Sequence, residues 1–366
     1  MARKNWQSAN GARWSKTALC GSLLLLPLGC GGNDVGPLGV EDPADPGLVL
    51  QPHELCSDHS EHHIATFEDA NLEAAVMGAL GIGAPEDLTC GLVSELAVLA
   101  GPDGAFTDMA VGSLVGIQNL TGLTSLKLSD HSISDLSPLS GLTSLTHLDL
   151  WVNSISDISA LSGLTGLTYV DLTGNSITDI SALSGLTNLK ELVLGSNSIT
   201  DIGALSGLTS LTVLRLFNNS ISDISGLSVL TGLTYLDVRL NSISDISGLS
   251  GLTSLTVLSL YSNSISDISA LSGLTNLMVL TLHNNSISDT IALSGLTALG
   301  DVDGPYYRPG PALNLSNNPN LTNIQPLLAN TGLGAGDSVD LRSTNVSCAD
   351  VAALEAKGVT VGSDCP

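Results

Sequence analysis

A block of 22 residues repeats eight times without a gap from Leu120 to Gly295, and this periodicity limits the fold more than any other feature. The second block, residues 142–163, reads LTSLTHLDLWVNSISDISALSG. Its apolar places are Leu142, Leu145, Leu148, Leu150, Ile155, Ile158 and Leu161. The fourth block repeats them as Leu186, Leu189, Leu192, Leu194, Ile199, Ile202 and Leu205. Asn holds one place in seven blocks, from Asn153 to Asn285, and His131 holds it in the first. Asp holds another in all eight, from Asp135 to Asp289.

Each part has a physical reason. Leu148-Asp149-Leu150 alternates with period two, the pattern of a short strand with one buried face. The Asn follows where the chain must bend, and its amide can both donate to and accept from backbone groups left unpaired there. The Asp precedes about one helical turn, where a carboxylate accepts from free amides as an N-cap does. A single block buries too little apolar surface to offset the entropy of ordering it, so neighbours must cover its open faces. The sequence predicts an α/β solenoid with a cap at each end.

The pattern L-x-x-L-x-x-L-x-L-x-x-N-x-I-x-D-I-x-x-L resembles the bacterial internalin-type leucine-rich repeat, closely over 120–295 and in weaker form over about 65–366. The resemblance implies a right-handed leucine-rich-repeat solenoid, with parallel β-strands on the concave face and short 3-10 turns on the convex side. It also implies helical N- and C-terminal caps and a protein-binding role. Apolar spacing supports a helix within 66–80 and a second short helix from about Asp87, with Leu96 to Ile117 as a degenerate first repeat. Near Val302 the ninth block is interrupted by D-G-P-Y-Y-R-P-G-P; Leu313-Asn314-Leu315 and Asn318 resume it. Val339-Asp340-Leu341 reads as the last strand, and Cys348 opens a terminal helix.

The N-terminus reads as an address. Residues 1–16 are basic, and Thr17 to Leu28 form an apolar run too short to span a bilayer. It ends in Leu26-Pro27-Leu28-Gly29-Cys30, which resembles a bacterial lipoprotein signal with Cys30 as the lipidated residue; Pro27 and Leu28 depart from the usual pattern. The expected organisation is a signal peptide over 1–29, a Gly/Pro/Asp and His-rich tether over 30–64, and a cap with a degenerate repeat over 65–119. The repeats follow over 120–300, then the insertion, last repeats and C-terminal cap over 301–366. The expected location is the bacterial cell envelope, at the outer membrane or cell surface, held by the lipid alone, with secretion as the second choice.

The four remaining cysteines, Cys56, Cys90, Cys348 and Cys365, allow three pairings. The local one, Cys56–Cys90 and Cys348–Cys365, clamps each cap where a repeat lacks a neighbour.

Charge and motifs exclude other classes. Acids number 35 and bases 11, for a net charge of −24, with four of the bases in the first 16 residues. Phosphate-backbone binding needs clustered Lys and Arg, so nucleic acid is not expected as a partner. There is no G-x-S-x-G, H-E-x-x-H or S-x-x-K, and near-identical blocks oppose the asymmetric site an enzyme needs. The run H-E-L-C-S-D-H-S-E-H-H, residues 53–63, holds four of seven His and invites a metal reading, yet it is not H-E-x-x-H, because position 57 is Ser, and Cys56 in a disulfide would not be a ligand. The Asp column is explained by capping without bound cations, and Gly332-x-Gly334-x-Gly336 lacks the Lys of a phosphate loop. No metal, cofactor or catalytic residue is expected.

The outward strand positions are where the blocks differ. They carry Trp151, Tyr169, Arg215, Phe217, Tyr235, Arg239, Tyr261 and His283, along with Ser125, Lys127, His147, Asp149, Asp171 and Asp237. Five of the chain's 11 aromatic residues occupy these few places. Aromatics and Arg dominate interface hot spots, so the expected role is a surface-anchored module for adhesion or recognition, binding a protein or peptide on the concave face. Tyr306 and Tyr307 would rim that surface. The alternatives are cross-strand packing in a structural envelope protein without a specific ligand and, more remotely, an enzyme.

Overall fold

The computed structural model describes residues 48–100, 110–300 and 311–366. The signal segment, Cys30, Tyr306 and Tyr307 lie outside the described residues.

Parallel strands stack in sequence order into one sheet of twelve among the described residues. They are β1 (Val98–Ala100), β2 (Ser125–Lys127), β3 (His147–Asp149), β4 (Tyr169–Asp171), β5 (Glu191–Val193) and β6 (Val213–Arg215). Then come β7 (Tyr235–Asp237), β8 (Val257–Ser259), β9 (Val279–Thr281), β10 (Leu313–Asn314), β11 (Ser338–Asp340) and β12 (Thr360–Gly362). From β2 to β9 the register is one repeat per strand: Leu126 pairs with Leu148, Leu148 with Val170, and so on to Leu258 with Leu280. The step to β10 pairs Leu280 with Leu313, longer by half a repeat, which absorbs the insertion. Each coil returns through a 3-10 turn such as Ser159–Gly163 or Ser181–Leu183, and strand–crossover–strand units of this kind are right-handed. The chain therefore folds as the expected leucine-rich-repeat solenoid, with the strands on its concave side and the short turns behind them.

The seven apolar files close into one core. Leu148, Leu192 and Leu214 are fully buried in it, as are Ile155, Ile199 and Ile221. The eighth block departs once: Thr290 fills the buried place of the second Ile, and Ile291 beside it is exposed.

The Asn file does what its chemistry allows. Asn197 Oδ1 accepts from the Ile177 amide at 3.0 Å, and its Nδ2 donates to the carbonyls of Leu172 and Leu194. Each Asn thus ties its own bend to the coil before it. His131 occupies the same place, and its Nδ1 accepts from the Val111 amide at 3.4 Å. The Asp file caps the 3-10 turns from one position further back than an N-cap: Asp157 Oδ1 accepts from the Ser159 amide at 2.8 Å while Ile158 is the cap residue.

Both ends are closed by helices and a disulfide. At the front, Asp69 accepts from the amides of Asn71 and Leu72 and starts helix α1 (Ala70–Leu80). Thr89 caps α2 (Cys90–Ser94). The Cys56–Cys90 disulfide forms as expected. Residues 48–64, which the sequence reading assigned to the tether, instead pack on this cap. Leu50 is buried, the Cys56 amide donates to Asn119 Oδ1 at 2.8 Å, and Asn119 Nδ2 donates back to the Glu54 carbonyl. Their polar composition hid this, because the segment is held by a disulfide, a few apolar side chains such as Leu50, and polar bonds to its backbone, none of which forms a repeating apolar pattern. At the far end, α3 (Gln325–Ala329) and α4 (Cys348–Ala356) pack together, and Cys348 is bonded to Cys365. Val339–Leu341 is not the last strand, since β12 pairs beyond it. Among the described residues no helix is long and apolar enough to cross a membrane.

Candidate interaction face

Three files of side chains point outward along the sheet. The first and third residue of each strand make two of them, because a middle residue such as Leu148 is buried. The third file follows one buried Leu later: Ser129, Trp151, Thr173, Gly195, Phe217, Arg239, Tyr261 and His283. Its members stand 22 residues apart, so consecutive ones are neighbours across coils.

The second half of this file is a continuous stack. The Phe217 ring lies over Gly195, in the space a Cβ there would fill. The Arg239 guanidinium sits 4.6 Å from the Phe217 centroid and 5.4 Å from that of Tyr261. Tyr261 and His283 stack at 4.1 Å with their planes 18° apart. The neighbouring files support it: Arg239 pairs with Asp237 at 3.4 Å, and Arg215 pairs with Glu191 while lying 4.6 Å from the Tyr235 centroid. Asp237, expected to be exposed, is only 1% exposed and is paired with Arg239. Tyr169, Arg215, Phe217, Tyr235, Arg239, Tyr261 and His283 are half-buried.

The first half is arranged differently. His147 and Tyr169 stack at 4.1 Å, nearly coplanar at 6°. Burial, then the nearby Lys127, holds the His147 imidazole below its ordinary pKa, and burial does the same to His283. Burial and the neighbouring carboxylates push the Tyr169 hydroxyl well above its ordinary value. Asp149 is pushed upward by burial and by Asp171 in the next coil. Trp151 is 42% exposed and, among the described residues, makes no ring or cation contact.

Elsewhere the surface repeats itself. Two shallow grooves, one lined by Asp157, Ser159, Asp179 and Ser181 and one by Asp245, Ser247, Asp267 and Ser269, are copies four coils apart. The His-rich run keeps His59 and His63 near each other at 5.3 Å, with Cys56 held in its disulfide. Among the described residues no three His, Cys, Asp or Glu side chains converge as a metal-ligand set.

Sequence reasoning found the members of the outward files but not two features that organise them. Gly195 makes room for Phe217, and its signal was a Gly in a file of side chains. The other is a fourth file, immediately after the third, in the left-handed conformation: Asp130, Val152, Gly174, Ser196, Asn218, Leu240, Ser262 and Asn284 all have φ between 53° and 68°. Each donates its amide to the next coil, as Val152 does to the Thr173 carbonyl at 2.7 Å.

This fold is that of a leucine-rich-repeat protein. The sequence matches the family described as leucine rich repeats (2 copies) over residues 143–185, 187–229, 209–251, 231–273 and 253–298. Internalin C2 of Listeria monocytogenes is 40% identical, aligning over 58% of this chain and 93% of its own, with a TM-score of 0.56. The internalin inlF of the same organism is 28% identical over 82% of this chain and 96% of its own, at 0.59. A leucine-rich-repeat protein of Leptospira interrogans, 24% identical over 67% and 62%, shares the fold at 0.59. Among curated proteins there is no sequence match. The chain belongs to the internalin-like family of bacterial leucine-rich-repeat proteins. Proteins of this family are generally protein-interaction modules.

Proposed function

We propose that the protein is an exported recognition or adhesion module that engages a protein or peptide partner on its concave face. One observation carries this reading. The eight coils are near-copies inside and at their turns, yet the outward strand files differ from coil to coil and gather Trp151, Tyr169, Arg215, Phe217, Tyr235, Arg239, Tyr261 and His283. A surface that served only to cover the core would gain nothing from that diversity. Rigid aromatics and Arg are the residues through which interfaces concentrate their affinity. Two disulfides suit an oxidising, extracytoplasmic location, and acylation at Cys30 would hold the module at the envelope. Nothing in the repeated grooves offers the asymmetric constellation an enzyme needs.

A second reading, a structural envelope protein without a ligand, has its own support. Stacks such as His147–Tyr169 and Tyr261–His283 satisfy ring faces within the molecule. Affinity capture from envelope and host extracts separates the two. Trp151→Ala/Phe217→Ala/Tyr261→Ala should lose the partner, each hot spot contributing about 2 kcal/mol. Equal recovery of every bound protein by the variant and the parent chain would support the structural reading instead.

A further inference from the structure

The ion pairs of the concave face are unevenly distributed. From the fifth to the eleventh strand its acids are matched: Glu191 by Arg215, Asp237 by Arg239 and Asp340 by Arg342. Asp149 and Asp171 are not. They are cross-strand neighbours in register, and among the described residues neither forms an ion pair. Asp149 Oδ1 accepts from Ser129 Oγ at 3.3 Å and from the Trp151 amide at 3.5 Å, and Asp171 Oδ1 accepts from the Thr173 amide at 2.9 Å. Those bonds orient the carboxylates but leave two like charges side by side. Lys127 is the cross-strand neighbour of Asp149 on the other side, but its side chain is exposed and no ion pair forms.

The aromatic residues are uneven in the same sense. Tyr169 has its face against His147, Tyr235 against Arg215, Phe217 against Arg239, and Tyr261 against Arg239 and His283. Trp151, two residues after Asp149, is the most exposed of the five, and among the described residues its indole has no ring or cation contact. In the second half of the face each aromatic has a guanidinium or imidazole, and Glu191, Asp237 and Asp340 each have an arginine. In the first half an indole and two carboxylates have neither.

We propose that this gap is filled by the partner: the patch around Asp149, Trp151 and Asp171 receives an arginine side chain on a basic polypeptide segment. Strands in adjacent coils lie about 4.8 Å apart, so a planar guanidinium can donate to both carboxylates. Its flat face stacks on an indole better than an ammonium does. The net charge of −24 steers such a segment toward the molecule, while the patch determines where it docks. The proposal rests on the concave face being the binding face, and it adds the chemistry of the ligand.

The test uses the full chain carrying Trp6→Phe and Trp14→Phe, which leaves Trp151 as the single indole. The probe is a blocked peptide of alternating Arg and Ser; its controls are the citrulline counterpart, which keeps the shape and loses the charge, and the Lys counterpart. The Arg peptide should change Trp151 emission saturably, and more tightly than the Lys peptide, while the citrulline peptide should leave it unchanged. Asp149→Asn/Asp171→Asn should weaken binding by about tenfold or more. Asp245→Asn/Asp267→Asn removes the same charge from the convex turns and should not. Lys127→Ala, which deletes a competing cation without touching the carboxylates' hydrogen bonds, should tighten binding by about threefold. Equal emission changes with the citrulline peptide, or equal weakening by the two Asn pairs, would overturn the proposal. If Trp151→Ala abolishes partner capture while Asp149→Asn/Asp171→Asn leaves it intact, the face binds but not through a cation. If neither change affects capture, the reading of the face itself fails.

Discussion

The ring of Phe217 occupies the space above Gly195, with three of its carbons 2.3 to 2.6 Å from where a Cβ on Gly195 would stand. Gly195→Ala therefore cannot be accommodated without moving the ring and disturbing its contact with Arg239. Overpacking of this kind costs about 1–3 kcal/mol. Urea unfolding should show that loss in the parent chain and little of it in a Phe217→Ala background, because there the ring is gone. An equal cost in both backgrounds would mean that the Gly serves its own backbone.

Val152 stands at φ 54°, a region that β-branched residues seldom occupy, and Gly174 stands in the equivalent place one coil on. The left-handed backbone is imposed by the amide of Val152 reaching the Thr173 carbonyl. Val152→Asn keeps that bond and relieves the side chain. It should raise stability by about 1 kcal/mol, read as a higher urea midpoint with unchanged slope.

His131 fills a place that Asn fills in the next seven coils. Burial holds it below its ordinary value of 6.5, as it does His147 and His283. Below pH 6.5 the unfolded chain takes up protons that these buried rings refuse. Stability is therefore complete above that pH and falls as the solution is acidified toward the folded-state values. His131→Asn keeps an acceptor for the Val111 amide and removes one of the three titrations. Its melting temperature should fall less than that of the parent chain between pH 7 and pH 5, and a parallel fall would exclude His131 as a contributor.

Asn197 satisfies the Ile177 amide and the Leu172 and Leu194 carbonyls at once. Asn197→Leu fills similar space but leaves these buried backbone groups unpaired, at about 1–3 kcal/mol for each one that water cannot reach. Because a coil touches only its neighbours, the damage should stay local. Hydrogen exchange should rise in the third to fifth coils and leave the C-terminal cap protected.

The solenoid was legible because its determinants are local and repeated. Leu148, Ile155 and their counterparts recur at one spacing, and burying them in common admits few other chains of coils. The members of the candidate face were legible as the variable positions between the buried Leu residues. Their contacts were legible only in part. Phe217, Arg239, Tyr261 and His283 lie 22 residues apart, and that spacing alone brings them side by side; which ring meets which cation depends on side-chain rotamers. The front cap was the least legible portion. Residues 48–64 are held by the Cys56–Cys90 disulfide, the buried Leu50 and hydrogen bonds to Asn119, which leave no apolar periodicity, and β12 lacks the Leu-x-Leu alternation of the repeats.

The in-register stacking of identical coils makes the sheet a ruler with a fixed graduation. Trp151 and His283 stand six coils apart, which at about 4.8 Å per coil sets them roughly 29 Å from each other. Gain or loss of one whole block would move that separation by a single graduation while leaving every joint between coils chemically the same. The length of the outward face can therefore be changed in whole coils without redesigning the interior.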